Sequence, residues 1–139
     1  MYRLYYRPED AWVGDIMPCY HDGEYYMYYQ CDHRKPKGYP DCEPFGWSLS
    51  KSKDMIHFTD YGEVLKKDPE GGREQWLFAG SVIRAYEKFW AFYTARCHAY
   101  FNTEIPAERT CIAVSEDGIN WEKHPEWMLP KPEGYESNL

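Results

Sequence analysis

Two seven-residue stretches share one pattern and decide the fold. Residues 52–58 read S-K-D-M-I-H-F and residues 115–121 read S-E-D-G-I-N-W, so both follow S-x-D-x-I-x-aromatic, 63 residues apart. Two further landmarks keep nearly this spacing. The pair Tyr28-Tyr29 matches Phe92-Tyr93 at an offset of 64, and residues 14–17 match residues 80–83 at an offset of 66. A period of this length predicts a repeat architecture.

Each repeat consists of short aromatic and β-branched runs separated by turn residues. No long segment keeps the 3.6-residue apolar period of a helix. Tight turns are indicated at residues 21–23 and 116–118. Four runs are typical of strands: residues 24–29, 81–84, 88–93 and 109–114. The chain is therefore predicted to be all-β.

The number of strands in each repeat indicates the architecture. Four short antiparallel strands are typical of one blade of a β-propeller, and propellers generally have four to eight blades. This chain has room for two, with the first at about residues 1–68 and the second at about residues 69–139. We therefore predict that it is part of a longer protein or that copies associate through their open blade edges.

Composition narrows the classes of partner. The chain has 139 residues and a net charge of −7, from 16 Lys and Arg against 23 Asp and Glu. Binding to nucleic acid needs a concentrated basic surface, so we expect no such partner. No apolar run reaches the roughly 20 residues of a membrane span, and the first residues are not typical of a secretory signal. We expect a cytoplasmic protein without a membrane partner.

The cysteines are odd in number and no pair has C-x-x-C spacing. Cys31 with His33, or Cys97 with His98, could contribute to a zinc site, but structural zinc usually takes two such close ligand pairs. We therefore expect no metal, no cofactor and no disulfide framework. The five are Cys19, Cys31, Cys42, Cys97 and Cys111.

The repeat separates structural carboxylates from candidate functional ones. Asp54 and Asp117 occupy the same place in both units, so we predict that they fix a turn by accepting backbone N–H groups. Asp15 lies in a mostly apolar stretch and is matched with Ser81, so the blade does not require a carboxylate there. Because a buried unpaired carboxylate is costly, we interpret Asp15 as facing a ligand pocket. A hydrogen-bonded Asp at a strand end is the alternative.

Five motifs, in order, resemble those of the family 32 glycoside hydrolases, the invertase and fructanase group, with related family 43 enzymes. W-V-G-D at residues 12–15 resembles the family's W-M-N-D. M-Y-Y-Q at residues 27–30 is similar to the family's L-F-Y-Q. Trp47 followed by residues 52–58 is similar to W-G-H-A-x-S-K-D-L-x-H-W. F-A-G-S at residues 78–81 is similar to F-S-G-S, and A-F-Y-T at residues 91–94 resembles the family's A-F-Y-T. The family fold is a five-bladed β-propeller, in agreement with the repeat, so this chain is expected to hold about two of its blades.

The resemblance implies hydrolysis of a furanoside bond in oligo- or polysaccharides, as in β-fructofuranosidases, by carboxylates at the propeller axis. It implies that Asp15 is the nucleophile, or the general base in inverting relatives. Inter-blade packing is the alternative role for Trp47 and Phe78, and an internally bonded strand residue is the alternative for Gln30. The implied sugar-binding residues are Trp12, Gln30, Trp47, Phe78 and Ser81.

The sequence also departs from the family pattern. I-M-P at residues 16–18 replaces P-N-G, and Ala79 stands for the first Ser of F-S-G-S. The family's R-D-P acid has no counterpart in these residues, and neither has its later general-acid Glu. Glu104 and Glu108 lie in a polar stretch that is typical of a solvated loop. Since the leaving oxygen must be protonated by a second carboxyl group, we expect the chain alone to be inactive.

Two other hypotheses stay open. In one, the chain is a non-enzymatic carbohydrate-binding or oligomer-forming propeller module. In the other, residues 115–121 belong to the S-x-D-x-G-x-x-W box of sialidase-type propellers, although Gly follows Asp directly here. Sialidases need an arginine cluster, and the spacing of Arg84, Arg96 and Arg109 gives no sign of one. We rank that hypothesis last.

Overall fold

A computed structural model describes residues 6–8, 11–33, 44–100, 103 and 105–129. Cys42 and Glu104 lie outside this part of the chain. The described residues form eight β-strands and two short 3-10 helices, with no α-helix among them, so the all-β prediction is confirmed. Within the same residues no helix is long and apolar enough to cross a membrane.

The strands form two four-stranded antiparallel sheets, each with its strands in chain order. The first sheet contains β1 (Trp12–His21), β2 (Glu24–Asp32), β3 (Trp47–Ser52) and β4 (Thr59–Leu65). The second contains β5 (Trp76–Ala85), β6 (Lys88–Arg96), β7 (Glu108–Ser115) and β8 (Glu122–Lys123). The 3-10 helices are His98–Tyr100 and Pro125–Trp127. These sheets are two blades of a β-propeller.

The register of the two sheets repeats residue by residue. In the first sheet Val13 pairs with Cys31 and Ile16 with Tyr29. In the second, Leu77 pairs with Ala95 and Gly80 with Tyr93, a constant offset of 64. The offset becomes 63 from β3 onward, where the pair Lys51–Thr59 corresponds to Val114–Glu122. The alignment of Asp15 with Ser81 was therefore wrong by two residues, because the ladder places Ala79 at the position of Asp15.

The core lies between the sheets, where aromatic residues of β2, β3 and β6 are buried against one another. Tyr26 packs on Phe89 with ring centroids 5.1 Å apart, and Trp47 packs edge-on against Tyr93 at 5.7 Å. Burying a large apolar side chain contributes about 1.5–3 kcal/mol. The stacked sheets thereby hold β1 and β5 side by side.

The two repeated carboxylates fix turns, as predicted. Asp54 Oδ1 accepts the backbone N–H groups of Ile56 and His57 at 2.9 and 2.8 Å, and hydrogen bonds from His57 lower the pKa of this carboxyl. Asp117 Oδ1 accepts the corresponding two N–H groups at 2.8 Å each. Burial opposes ionisation of Asp117, yet these hydrogen bonds lower its pKa to about 2.

A polar cluster ties the connection between the sheets to the second sheet. Lys123 Nζ lies 2.9 Å from Asp68 Oδ1 and 2.8 Å from Glu74 Oε2. The Tyr93 hydroxyl donates to the same Glu74 oxygen at 2.8 Å. Glu74 is buried, and a buried carboxylate is tolerated when it is paired in this way. The cluster fixes the chain as it enters β5.

Candidate active site

A β-bulge places Asp15 on β1. The pairing passes from Val13 directly to Ile16, while β2 advances only from Cys31 to Tyr29, so two residues, Gly14 and Asp15, oppose the single residue Gln30. A bulge of this kind bends the strand and changes the direction of its side chains. Asp15 is exposed at this point. The cost of a buried carboxylate therefore does not apply to it, and that part of the sequence argument was wrong.

The same bulge occurs in the second sheet, where Phe78 and Ala79 oppose Thr94. The bulge is therefore part of the blade architecture. Of these two blades, only the first has a carboxylate (Asp15) and an amide (Gln30) at the bulge. This comparison supports the inference that the blade itself does not require Asp15, although the corresponding residue is Ala79 rather than Ser81.

Gln30 contacts Asp15 directly. Its Nε2 donates to Asp15 Oδ2 at 3.4 Å, and the Gln30 side chain is 6% exposed. The amide thus bonds to the carboxylate from the buried side of the bulge. Gln30 is therefore an internally bonded strand residue, the alternative role considered for it above. It is also a direct neighbour of Asp15, the candidate nucleophile.

Gly14 makes room for this amide. A Cβ atom at position 14 would lie 2.7 Å from Gln30 Oε1 and 3.0 Å from Gln30 Cβ. Both distances are too short for a normal contact, so any other residue would displace the Gln30 side chain. Sequence reasoning matched residues 12–15 with a family motif but missed this packing role of Gly14, which only the pairing of β1 with β2 reveals.

Trp47 is fully buried between the sheets. Its Nε1 donates to the backbone oxygen of Phe78 at 2.9 Å. Trp47 therefore has the alternative role of packing between the blades, since its buried indole ring has no exposed surface that could contact a sugar. Trp47 instead holds the bulged segment of β5 through the Phe78 carbonyl.

Phe78 and Ser81 lie on β5, on either side of Gly80. The Phe78 ring is half-buried, 5.7 Å from the Phe45 ring and 4.8 Å from the Arg96 guanidinium carbon. Ser81 is exposed. A Cβ at Gly80 would lie 2.0 Å from the backbone oxygen of Phe92, so β5 and β6 approach closely there.

Trp12 begins β1 and is 57% exposed, more than the other candidate aromatics. Arg7 covers one face of its ring, with the guanidinium carbon 4.3 Å from the ring centroid. Arg7 Nε also donates to the Ala11 oxygen at 3.2 Å. Sequence reasoning did not single out Arg7, because an arginine five residues before a tryptophan carries no recognisable pattern.

Glu108 does not lie in a solvated loop, contrary to the prediction. It begins β7 and forms an ion pair with Arg96 on the neighbouring strand, with both side chains largely buried. The strand predicted at residues 109–114 begins one residue earlier in the structure, so Glu108 is its first residue. Because its charge is paired with Arg96, Glu108 belongs to the sheet rather than to the site around Asp15.

The described cysteines are free thiols: Cys19, Cys31, Cys97 and Cys111. Cys31 Sγ lies 3.6 Å from His33 Nε2, and Cys97 is buried with its Sγ 3.7 Å from Gln75 Oε1. No group of three His, Cys, Asp or Glu residues with metal-binding geometry exists within the described ranges. The expectation that the protein needs no metal or cofactor stays a prediction.

Comparisons with known proteins agree with this architecture. The chain is 28% identical to the raffinose invertase of Escherichia coli over 130 residues. This alignment covers 91% of the chain and 26% of the invertase. The chain is also 32% identical over 77 residues to the levanbiose-producing levanase of Bacillus subtilis, covering 53% of this chain and 13% of the levanase. The chain thus spans about a quarter or less of these relatives.

Fructan 1-exohydrolase IIa from Cichorium intybus has a similar fold, with a TM-score of 0.72 and 18% identity over 96% of this chain and 24% of that one. The family model for the N-terminal domain of glycosyl hydrolases family 32 matches residues 5–139. This match covers nearly the whole chain, so the protein belongs to glycosyl hydrolase family 32, within its N-terminal propeller domain.

Proposed function

We propose that this chain supplies the nucleophile-bearing blades of a glycoside hydrolase that cleaves furanoside bonds in oligo- or polysaccharides, with β-fructofuranosidase specificity. The observation that carries the proposal is the bulge at Gly14 and Asp15. Both blades have this bulge, but of the two only the first presents a carboxylate on it, backed by the Gln30 amide. Because the second blade has Ala79 in place of Asp15 and still forms the bulge, the carboxylate is best explained by function.

In this mechanism Asp15 attacks the anomeric carbon and forms a bond to it, while the bond from that carbon to the leaving oxygen breaks. A second carboxyl group, supplied from outside these two blades, protonates the leaving oxygen, and water then hydrolyses the glycosyl ester. Gln30 holds the Asp15 carboxylate in place. Trp12 and Ser81 are exposed near the two bulges and would contact the sugar, while Trp47 and Phe78 shape the site from behind.

Sugar binding by the 139-residue chain tests this proposal. We expect measurable binding of fructose or a short fructan without hydrolysis, and loss of that binding in Asp15→Asn. Asp22→Asn is the matched control, because Asp22 lies in the exposed β1–β2 turn at φ 48°, where Asn is equally tolerated. Equal binding by Asp15→Asn and the unsubstituted protein would remove Asp15 from the site.

The second candidate function is a propeller module that binds carbohydrate or assembles without catalysis. It is favoured by an apolar surface on the outer face of the second sheet, where Trp90 stacks on Trp127 with ring centroids 6.0 Å apart. Trp127 and Leu129 are 42% and 51% exposed. A uniform oligomer by light scattering, together with sugar binding that survives Asp15→Asn, would favour this function. Cytoplasmic location and the lack of nucleic-acid or membrane partners remain proposals from composition.

A further inference from the structure

Lys51 is a buried lysine without an ion-pair partner. It lies on β3 and is only 9% exposed. Its Nζ lies 4.0 Å from the centroid of the Tyr26 ring and 5.1 Å from that of Tyr61. Within the described part of the chain, no carboxylate oxygen lies within 4.0 Å of this ammonium group, and no side chain or backbone oxygen accepts a hydrogen bond from it.

The two tyrosine rings compensate the charge but not the hydrogen bonds. The Lys51 side chain is buried, but its Nζ reaches solvent, and cation–π contacts at such a site contribute about 0.5–1 kcal/mol. The ring faces accept none of its three N–H donors, which normally find acceptors. The Lys51 ammonium is therefore a positive charge held in place with its donors available.

The repeat shows that the fold does not need a lysine here. The equivalent residue in the second sheet is Val114, because the pair Val114–Glu122 corresponds to Lys51–Thr59. Val114 is buried to the same degree, 9% exposed. An apolar residue thus satisfies this position of the blade, so the charge at Lys51 needs another explanation.

Lys51 and Tyr61 line a cavity of about 240 Å³ beside the β3–β4 turn. Asp54 also lines it, but both of its carboxylate oxygens are bonded within the turn, to backbone N–H groups and to His57. Glu24 is the remaining acidic group in the lining. The full lining comprises Glu24, Lys51, Ser52, Lys53, Asp54, His57, Thr59 and Tyr61.

We propose that this cavity binds the phosphate group of a small ligand, with Lys51 as its principal donor. Lys53 adds a second positive charge to the lining, and Thr59 and Tyr61, which also line the cavity, carry hydroxyl groups that can donate. The site is separate from Asp15. Lys51 pairs with Tyr26 on β2, four residues from Gln30, which corresponds to about 13 Å along the strand. The site therefore does not depend on the glycosidase proposal.

Titration of the 139-residue chain with potassium phosphate, followed by amide NMR, tests the site. Potassium chloride at equal ionic strength corrects for general salt effects. We expect saturable shifts confined to Glu24 and residues 51–61, the segments that line the cavity, with a dissociation constant in the millimolar range. Affinity should be weakened roughly tenfold or more in Lys51→Met. Met keeps the apolar stem on Tyr26. Lys66→Met, which removes an exposed lysine outside this cavity, should bind phosphate unchanged.

Shifts that do not saturate, or equal affinity in Lys51→Met, would overturn the proposal. If Lys51→Met does not fold, Glu24→Gln decides instead. Removing this acidic charge should tighten phosphate binding about two- to threefold, and unchanged or weaker binding would contradict the site. A parallel titration with glucose 6-phosphate identifies the source of the phosphate group. Tighter binding than inorganic phosphate supports a phosphorylated sugar, and equal binding supports the free ion.

Discussion

The Tyr28 hydroxyl donates to the backbone oxygen of Gly118 at 2.7 Å, and this bond joins the two blades across 90 residues of sequence. Tyr28 is fully buried on β2, and Gly118 lies in the β7–β8 turn at φ +73°. Burial is the main cause that raises the pKa of Tyr28 well above its ordinary value, so the hydroxyl remains a donor. One blade is thereby bonded to the turn of the next.

Tyr28→Phe should lower the free energy of unfolding by about 1–3 kcal/mol, because the Gly118 carbonyl is left without its buried donor. Urea unfolding followed by fluorescence measures this loss. Tyr20→Phe is the matched control, since Tyr20 is largely exposed, and it should leave stability unchanged. Equal stability of both variants would mean that the inter-blade bond contributes nothing.

Gly118→Ala should destabilise the protein more than Gly23→Ala. Both glycines have positive φ, +73° and +80°, but a Cβ at Gly118 would lie 2.7 Å from the Tyr28 hydroxyl, whereas a Cβ at Gly23 meets nothing within 4 Å. We expect about 1 kcal/mol of loss for Gly23→Ala from backbone strain and a further 1–3 kcal/mol, roughly, for Gly118→Ala from overpacking. Equal losses in thermal unfolding would contradict the close contact.

The β5–β6 hairpin can be stabilised. Tyr86 and Glu87 form its two-residue turn at φ 51° and 61°, a left-handed conformation that favours Asn and Gly. The β1–β2 hairpin has Asp22 and Gly23 at the corresponding positions. Tyr86→Asn combined with Glu87→Gly should therefore raise the free energy of unfolding by about 1 kcal/mol. A lower midpoint in urea would show that the exposed Tyr86 ring has a stabilising contact.

Alkaline pH should destabilise the fold through its buried tyrosines. Burial is the main cause that raises the pKa of Tyr28, Tyr29 and Tyr93 above the ordinary 10.0. The folded state then holds protons that the unfolded chain releases, so this stabilisation is complete below pH 10 and is lost as the pH rises further. Urea unfolding between pH 8 and 11.5 should show the decline, and Tyr93→Phe should reduce its slope. A constant free energy above pH 10 would contradict this.

Gly14→Ala should weaken sugar binding without unfolding the protein, because the added Cβ displaces the Gln30 amide from Asp15. If the proposed site is correct, we expect roughly a tenfold loss of affinity for fructose. Gly62→Ala is the control for lost stability: its φ of +68° makes an added Cβ strained by about 1 kcal/mol, but that Cβ meets nothing within 4 Å, so sugar affinity should stay unchanged. Unchanged affinity, with Asp15→Asn still abolishing binding, would show that Gln30 does not position the carboxylate.

The β-strands, the repeat and the turn carboxylates could all be predicted from the sequence. Asp54 and Asp117 accept backbone N–H groups two and three residues ahead. Such contacts depend on local spacing, so the S-x-D pattern is enough to reveal them. The aromatic-rich runs along β2 and β6 likewise indicate strands without knowledge of their partners.

Only the tertiary structure decided how the site is built. A bulge is a mismatch between two paired strands, so the correspondence of Asp15 with Ala79 and the place of Gln30 beneath it appear only once the register is known. The buried position of Trp47 and the pairing of Glu108 with Arg96 depend in the same way on neighbouring strands. Local spacing determines strands and turns, whereas exposure and cross-strand contacts arise from packing between segments distant in sequence.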